Sequence, residues 1–340
     1  MRDRLLTAFL SLIALALAGL IGAYLWSQHA VTAPGPLAQP TTLIIKSGSG
    51  LSTIARQLDE AGVVMNNYLF EWEARRTNQG GNLKPGEYKF DAGISITAVL
   101  EKLVKRDVVA RFVTVPEGLV FNDIVKILRT AEGLEGEPPA QVPDGDLLPE
   151  TYRYEWGDTR SGLVERMRKA REALLQDLWP KRAADLPIAT PQQAMVLASI
   201  VEKETGIAAE RPKVAGVFIN RLKKKMRLQS DPTVIYGISP TGLDRELSRA
   251  DLAAPTPFNT YVIDGLPPSP IANPGRASIA AVLNPEMTDA LYFVADGTGG
   301  HAFAATLAEH NKNVARWRKL TDGPASTKVD AATKPETKAK

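Results

Sequence analysis

Two carboxylates, Glu202 and Glu204, close the run 194–204, which reads AMVLASIVEKE. Eight uncharged residues lead straight into them. Thr190-Pro191-Gln192-Gln193 opens the segment as a helix, with Thr as N-cap, Pro at the first helical position and Gln three residues after the cap. Gly206, just past Glu204 and Thr205, supplies a stop. In that register Glu204 continues the apolar stripe of Leu197, Ile200 and Val201. A carboxyl held there loses hydration, so its pKa rises and it can carry a proton at neutral pH, as a general acid must. Glu202 follows Ala198 and Ser199 on another face and competes for the same role; periodicity does not choose between them. The ordinary alternative for either is a solvated residue where the helix emerges, as Lys203 between them suggests.

Composition narrows the chemistry. The chain has no cysteine, which removes disulfides, thiolate metal ligands and thiol nucleophiles. Its three histidines, His29, His301 and His310, are too scattered for a dense metal site, so neither a metal nor a cofactor is expected. With 41 basic against 38 acidic residues the charge is nearly balanced, and nucleic acid is not an expected partner. Lys223-Lys224-Lys225, with Arg221 and Arg227, is a local basic cluster that reads first as a solvated face.

The elements that position these residues follow in order. After residues 1–4, which contain Arg2 and Arg4, the run 5–26 is free of charge. As a helix it would extend about 33 Å, enough for a hydrocarbon core of ~30 Å. Basic residues before it predict a cytoplasmic N-terminus, with Tyr24 and Trp26 at the far interface. A single-pass anchor is expected over a cleaved signal peptide, whose apolar stretch is normally shorter. Residues 27–40, with Pro34, Gly35, Pro36 and Pro40, read as a flexible spacer. A small module over 41–106 reads strand, turn, helix, helix, strand, with a further helix over 95–104. That order looks like a LysM-type module, a class that contacts N-acetylglucosamine-containing glycans. Residues 107–146 then read as a connecting α/β segment, with a helix over 122–129 and a Gly-, Pro- and acid-rich linker over 133–146. The second domain is expected over 147–320, with helices at 161–179, 190–205, 210–225 and 304–320, and a loop-rich stretch with short strands over 227–300. Residues 321–340 read as a disordered tail. The fold class expected is α+β.

The motifs after Glu202 form an irregular series. EKETGIAAERPKVAGVFINRLKKKMRLQSDPTVIYG covers 202–237, FNTY 258–261, GLPPSPIANPG 265–275 and LYFVADG 291–297. LPETY at 148–152, GHAF at 300–303 and His310-Asn311 belong to the same set. In this order the series closely resembles the endolytic murein transglycosylases of the MltG (YceG-like) family, over about 41–320. The resemblance places the family's catalytic glutamate on Glu204. It implies as substrate the peptidoglycan glycan strand, cut at the β-1,4 bond between N-acetylmuramic acid and N-acetylglucosamine to leave 1,6-anhydro ends. It further implies an inner-membrane protein with a periplasmic catalytic domain, working beside peptidoglycan synthases on nascent strands.

Asn220, Gln229 and Asn259 offer amides for acetamido and hydroxyl groups, while Tyr236 and Tyr261 offer ring faces for sugars. Each has a competing role in satisfying loop backbone. Asp231 before Pro232 reads as a turn initiator or a supporting acid. The 265–275 loop is expected to form a rigid rim, and Gly297 with Gly299-Gly300 a hairpin turn. Two alternatives stand beside the lyase: a non-catalytic glycan-binding scaffold, and a hydrolytic muramidase using Glu150 or Asp231 as second carboxylate.

Overall fold

The computed structural model describes residues 2–320; the expected 321–340 tail lies outside them. The chain forms two compact units. One holds the described residues up to Arg111 with 132–135 and 153–158, and the other holds 112–131, 136–152 and the described residues from Thr159. The fold is mixed α and β, and all three sheets among the described residues are two-stranded.

The first unit begins with α1 (Arg2–Thr32), which carries one stretch long and apolar enough to cross a membrane, Leu6–Thr32. Beyond it β1 (Thr41–Ile45) pairs antiparallel with β2 (Gly86–Phe90), Leu43 opposite Tyr88. Between the strands lie α2 (Leu51–Glu60) and α3 (Asn67–Arg76), and α4 (Ile96–Lys105) follows. The expected strand–helix–helix–strand order is therefore present. Each helix follows from its sequence. Ile54, Ala55 and Leu58 bury one stripe of α2. Asn66 caps α3 by accepting from the backbone of Tyr68 at 2.8 Å and Leu69 at 3.1 Å. Ser95 caps α4 through Ala98 at 3.3 Å. Phe70, Tyr88, Phe90, Leu100 and Leu103 fill the core.

The expected flexible spacer over 27–40 is not what the chain forms. Helix α1 runs on to Thr32, and Val31 is buried in the core of this unit, with Leu37 packed against it. Thr97 Oγ1 donates to the Val31 carbonyl at 3.1 Å, Gly35 N to Gly93 O at 3.1 Å and Gly93 N to Leu37 O at 2.8 Å. Apolar residues among the prolines found a core to bury in, which composition alone did not show.

The second unit opens earlier than the expected boundary at Leu147. Beyond β3 (Arg111–Thr114), the 115–119 stretch and α5 (Phe121–Thr130) already belong to it. Thr114 on β3 and Thr151 on β4 (Thr151–Tyr154) share a hydroxyl hydrogen bond of 2.8 Å. Gly118 N donates to Asn273 O, and Asn273 N to Leu119 O, both at 2.9 Å. The expected linker over 133–146 is pinned as well: Asp144 accepts from Phe121 N at 2.7 Å, and Asn273 Oδ1 accepts from Gly145 N at 3.0 Å and Leu147 N at 3.1 Å.

Helices α6 (Arg160–Leu178), α7 (Pro191–Glu204), α8 (Arg211–Lys223) and α12 (Leu307–Leu320) stand close to their expected ranges. Within the stretch read as loops are three more, α9 (Asp231–Ile238), α10 (Arg249–Ala253) and α11 (Arg276–Leu283). β5 (Tyr292–Ala295) and β6 (His301–Ala304) form the expected hairpin, Phe293 opposite Phe303. Every residue from Ala194 to Val201 is buried. A helix apolar all round belongs in the middle of a core, and α7 packs against α8, α9 and α11.

Candidate active site

Helix α7 carries Glu204 to its last position. Thr190 Oγ1 caps the start by accepting from Gln193 N at 3.2 Å, and Gln193 Oε1 accepts from Ala189 N at 2.6 Å. The start of the segment follows the pattern read from its sequence; at the other end the helix stops where expected, but through Thr205 in extended backbone rather than through a left-handed Gly206.

The two glutamates separate cleanly. Glu202 is bound into the scaffold: Arg211 Nη2 donates to its Oε1 at 3.0 Å and Gly275 N to its Oε2 at 2.9 Å. Arg211 also holds Glu117 at 3.1 Å. A Cβ at Gly275 would lie 1.7 Å from Glu117 Oε1, so a larger residue there would have to displace the Glu117 side chain. Glu204 instead meets Ser230, whose Oγ donates to Oε1 at 2.5 Å. Burial pushes the Glu204 pKa up to about 7. The Ser230 bond pulls the other way, the Asp231 charge adds to the rise, and the His301 and Arg221 charges oppose it. A carboxyl poised near neutrality can both give and take a proton.

Ser230 is itself fixed. Its N–H donates to Thr260 Oγ1 at 2.9 Å, Thr233 Oγ1 donates to its carbonyl at 2.6 Å, and the two threonine hydroxyls lie 2.8 Å apart. Asp231 begins α9, where a carboxylate favours the helix dipole, and Pro232 follows in the first turn. Its Oδ1 accepts from the Tyr261 hydroxyl at 2.6 Å. Arg221 is buried, donating to Leu291 O at 2.7 Å and Leu228 O at 2.8 Å. Burial lowers its pKa. His301 Nδ1 lies 2.7 Å from Glu210 Oε2, and the His301 backbone N–H donates to Glu210 Oε1 at 2.9 Å.

Of the five residues expected to contact sugar, Tyr261 and Gln229 fall in this cluster. Gln229 adjoins Ser230 and has a φ of 50°, a left-handed conformation seldom adopted outside glycine and asparagine. Tyr261 is buried, and its hydroxyl is taken by Asp231. The other three are occupied elsewhere. Asn220 Nδ2 donates to Thr288 O at 2.7 Å and Ala290 O at 3.1 Å. Asn259, fully buried, donates to Ala254 O at 2.8 Å and Leu252 O at 3.1 Å and accepts from Tyr261 N at 2.9 Å. Tyr236 donates its hydroxyl to Asp144 at 2.8 Å and sets its ring edge-on to Phe258. The amides of Asn220 and Asn259 satisfy carbonyls that the turns leave without partners, so a substrate role for these two gives way to a structural one. The second half of the 265–275 loop is not a rim: 270–275 are buried, and Ile271 N donates to Ser199 Oγ at 3.0 Å. Glu150 is exposed over 43% of its side chain and lies 3.9 Å from Arg276.

Sequence reading missed Ser230 and gave Arg221, Glu210 and His301 no part at this site. Only their place in the motif series 202–237 and 300–303 could have flagged them. A family model described as the YceG-like family matches residues 43–316. The chain is similar to proteins named endolytic murein transglycosylase from Bacillus subtilis and Streptococcus pneumoniae. The first is 31% identical over 324 residues, covering 86% of this chain and 89% of that protein. The second is 28% identical over 322 residues, covering 81% of this chain but only 58% of that protein. It is also similar to the crystal structure of a YceG-like protein from Listeria monocytogenes, at 29% identity and a TM-score of 0.50, over 81% of this chain and 99% of that one. With the family model spanning both units and these relatives matching along most of its length, the chain belongs to the YceG-like family.

Proposed function

We propose that this chain is a membrane-anchored peptidoglycan lytic transglycosylase that cuts nascent glycan strands internally, with Glu204 as its acid and base. The observation that carries the reading is the Glu204 carboxyl, desolvated at the end of a buried helix, held by Ser230 and poised near pH 7. The names of the relatives supply the substrate class, murein.

The chemistry needs a proton on the leaving oxygen and help for an oxocarbenium-like centre. Protonated Glu204 gives its proton to the glycosidic oxygen between N-acetylmuramic acid and N-acetylglucosamine as the C1–O bond breaks. The muramic acid C6 hydroxyl then bonds to C1, and its proton passes to the ionised Glu204. A 1,6-anhydro ring closes, no water is consumed, and Glu204 ends as it began. Ser230 stabilises the carboxylate formed in the first half, while the Asp231 charge favours the protonated state needed at the start. Gln229, beside Ser230, is the sugar-facing candidate nearest the acid; the part-exposed ring of Tyr236 remains a second, whereas Tyr261 is buried and serves to hold Asp231.

Anchoring rests on the apolar stretch of α1, with the N-terminus cytoplasmic and the module beyond α1 and the second unit periplasmic. The first module, LysM-like in element order, positions or contacts glycan, and the synthases that extend the strand are the partners this role calls for. Asp231 favours one second reading, a hydrolytic muramidase in which it activates water. Mass spectrometry of digested sacculi separates them. Anhydro-muramyl ends are expected; reducing ends would mean hydrolysis, and intact strands a binding scaffold.

A further inference from the structure

Where α1 leaves its apolar stretch, it forms one wall of a groove with α3. The cavity is about 650 Å³ and is bounded by Tyr24 and Trp26 on α1, Met65 before α3, and Tyr68, Leu69 and Trp72 on it. Four of these are large side chains left in the open: Tyr68 is 75% exposed, Trp26 65%, Met65 53% and Tyr24 51%. The polar neighbours are spent on the fold. Ser27 Oγ donates to Tyr24 O at 2.7 Å, and Asn66 caps α3. What remains is a contiguous apolar surface of a kind that soluble faces seldom expose without a partner.

Its occupant follows from continuity. One wall is the last turn of the apolar run, and residues at that depth are surrounded by lipid. Tyr and Trp at such a point are the side chains that settle at a membrane–water interface, with ring in hydrocarbon and polar edge outward. The opposite wall is fixed beside it, because Val31 is buried in the same core and Thr97 holds its carbonyl. Helix α3 therefore cannot stand off from the surface that α1 enters. We propose that the groove between α1 and α3 takes a phospholipid acyl chain of the leaflet on the module's side, seating the first module on the bilayer. This rests on the anchoring reading above, and its test separates the two.

The chain has no cysteine, so a single introduced thiol can be nitroxide-labelled without interference. Full-length Met65→Cys and Tyr68→Cys, both at exposed positions, would be labelled in phosphatidylcholine–phosphatidylglycerol vesicles beside Leu17→Cys and Arg56→Cys. Accessibility to oxygen, which concentrates in lipid, is compared with that to a water-soluble nickel chelate. The expected result is an oxygen-to-nickel ratio at Met65 and Tyr68 that approaches the value at Leu17 and exceeds that at Arg56 several-fold. Leu17 in lipid with Met65 and Tyr68 in water overturns the groove proposal and leaves the anchor intact. Leu17 itself in water overturns the anchor, and the proposal with it. Labels shielded from both reagents, increasingly so as protein is concentrated in the vesicles, would show a second copy in the groove and also overturn it.

Discussion

Glu204 is a costly residue to keep, and the cost is measurable. In the folded chain it holds its proton to a pH of about 7, against an ordinary 4.5. Between those values the native state binds more protons than the unfolded one, so stability falls as pH rises and the whole penalty is present above pH 7. Glu204→Gln removes the titration while keeping an oxygen for Ser230. The variant should therefore be more stable than the parent above pH 7, by up to roughly 3 kcal/mol, with the gain gone below pH 4.5. Chemical denaturation at pH 4.5 and 8 reads this directly; equal stability at both would mean the carboxyl is not desolvated. Ser230 gives a second handle, since its bond favours the ionised form. Ser230→Ala should raise the Glu204 pKa further and move the high-pH limb of kcat/KM upward, because the acid then keeps its proton longer. A limb that stays put, or moves down, would separate Ser230 from the acid.

At the scale of elements, α7 was legible because several signals agreed: a Thr-Pro start, an uncharged run and a carboxylate on its stripe. Periodicity did not choose between Glu202 and Glu204, and only the family resemblance pointed to Glu204, because the physical difference depends on Arg211 and Ser230, whose positions are set by tertiary packing. Helices α9 and α11 were missed for a different reason. At eight residues each they offer about two turns of periodicity, and Ser230-Asp231-Pro232 reads equally well as a turn or a helix start. The amides of Asn220 and Asn259 carry the same lesson, since residue type does not say whether a side chain faces a groove or its own backbone. Asn259→Ala should cost ~1–3 kcal/mol, the usual penalty for stranding buried partners, and lower Tm. KM for glycan strands, measured on the folded fraction, should stay unchanged. A raised KM with an unchanged Tm would return Asn259 to the binding surface.

For the whole molecule, the arrangement is of a module built onto the end of an apolar helix and a second unit that carries Glu204, the proposed acid. The sequence announced the long apolar stretch and the strand–helix–helix–strand module, whereas the true reach of the second unit was hidden. Its early part, 112–131, is drawn in by Asn273, more than a hundred residues later, and no local pattern records that bond. Topology can be tested with a periplasm-dependent reporter fused after Lys340, which should be active in a chain that keeps residues 5–26 and fractionates with the inner membrane. Processing near Ala30 into a soluble form would contradict the anchor. The central claim is that one carboxyl serves both halves of the reaction. Its most direct test is the single-turnover rate at which Glu204→Gln releases anhydro-muramyl ends from purified glycan strands, with folding confirmed by an unchanged near-UV circular dichroism spectrum. Loss of general acid–base help costs ~10² to 10⁴ in rate, and with both half-reactions affected a fall at the upper end is expected; release at a near-normal rate would contradict it.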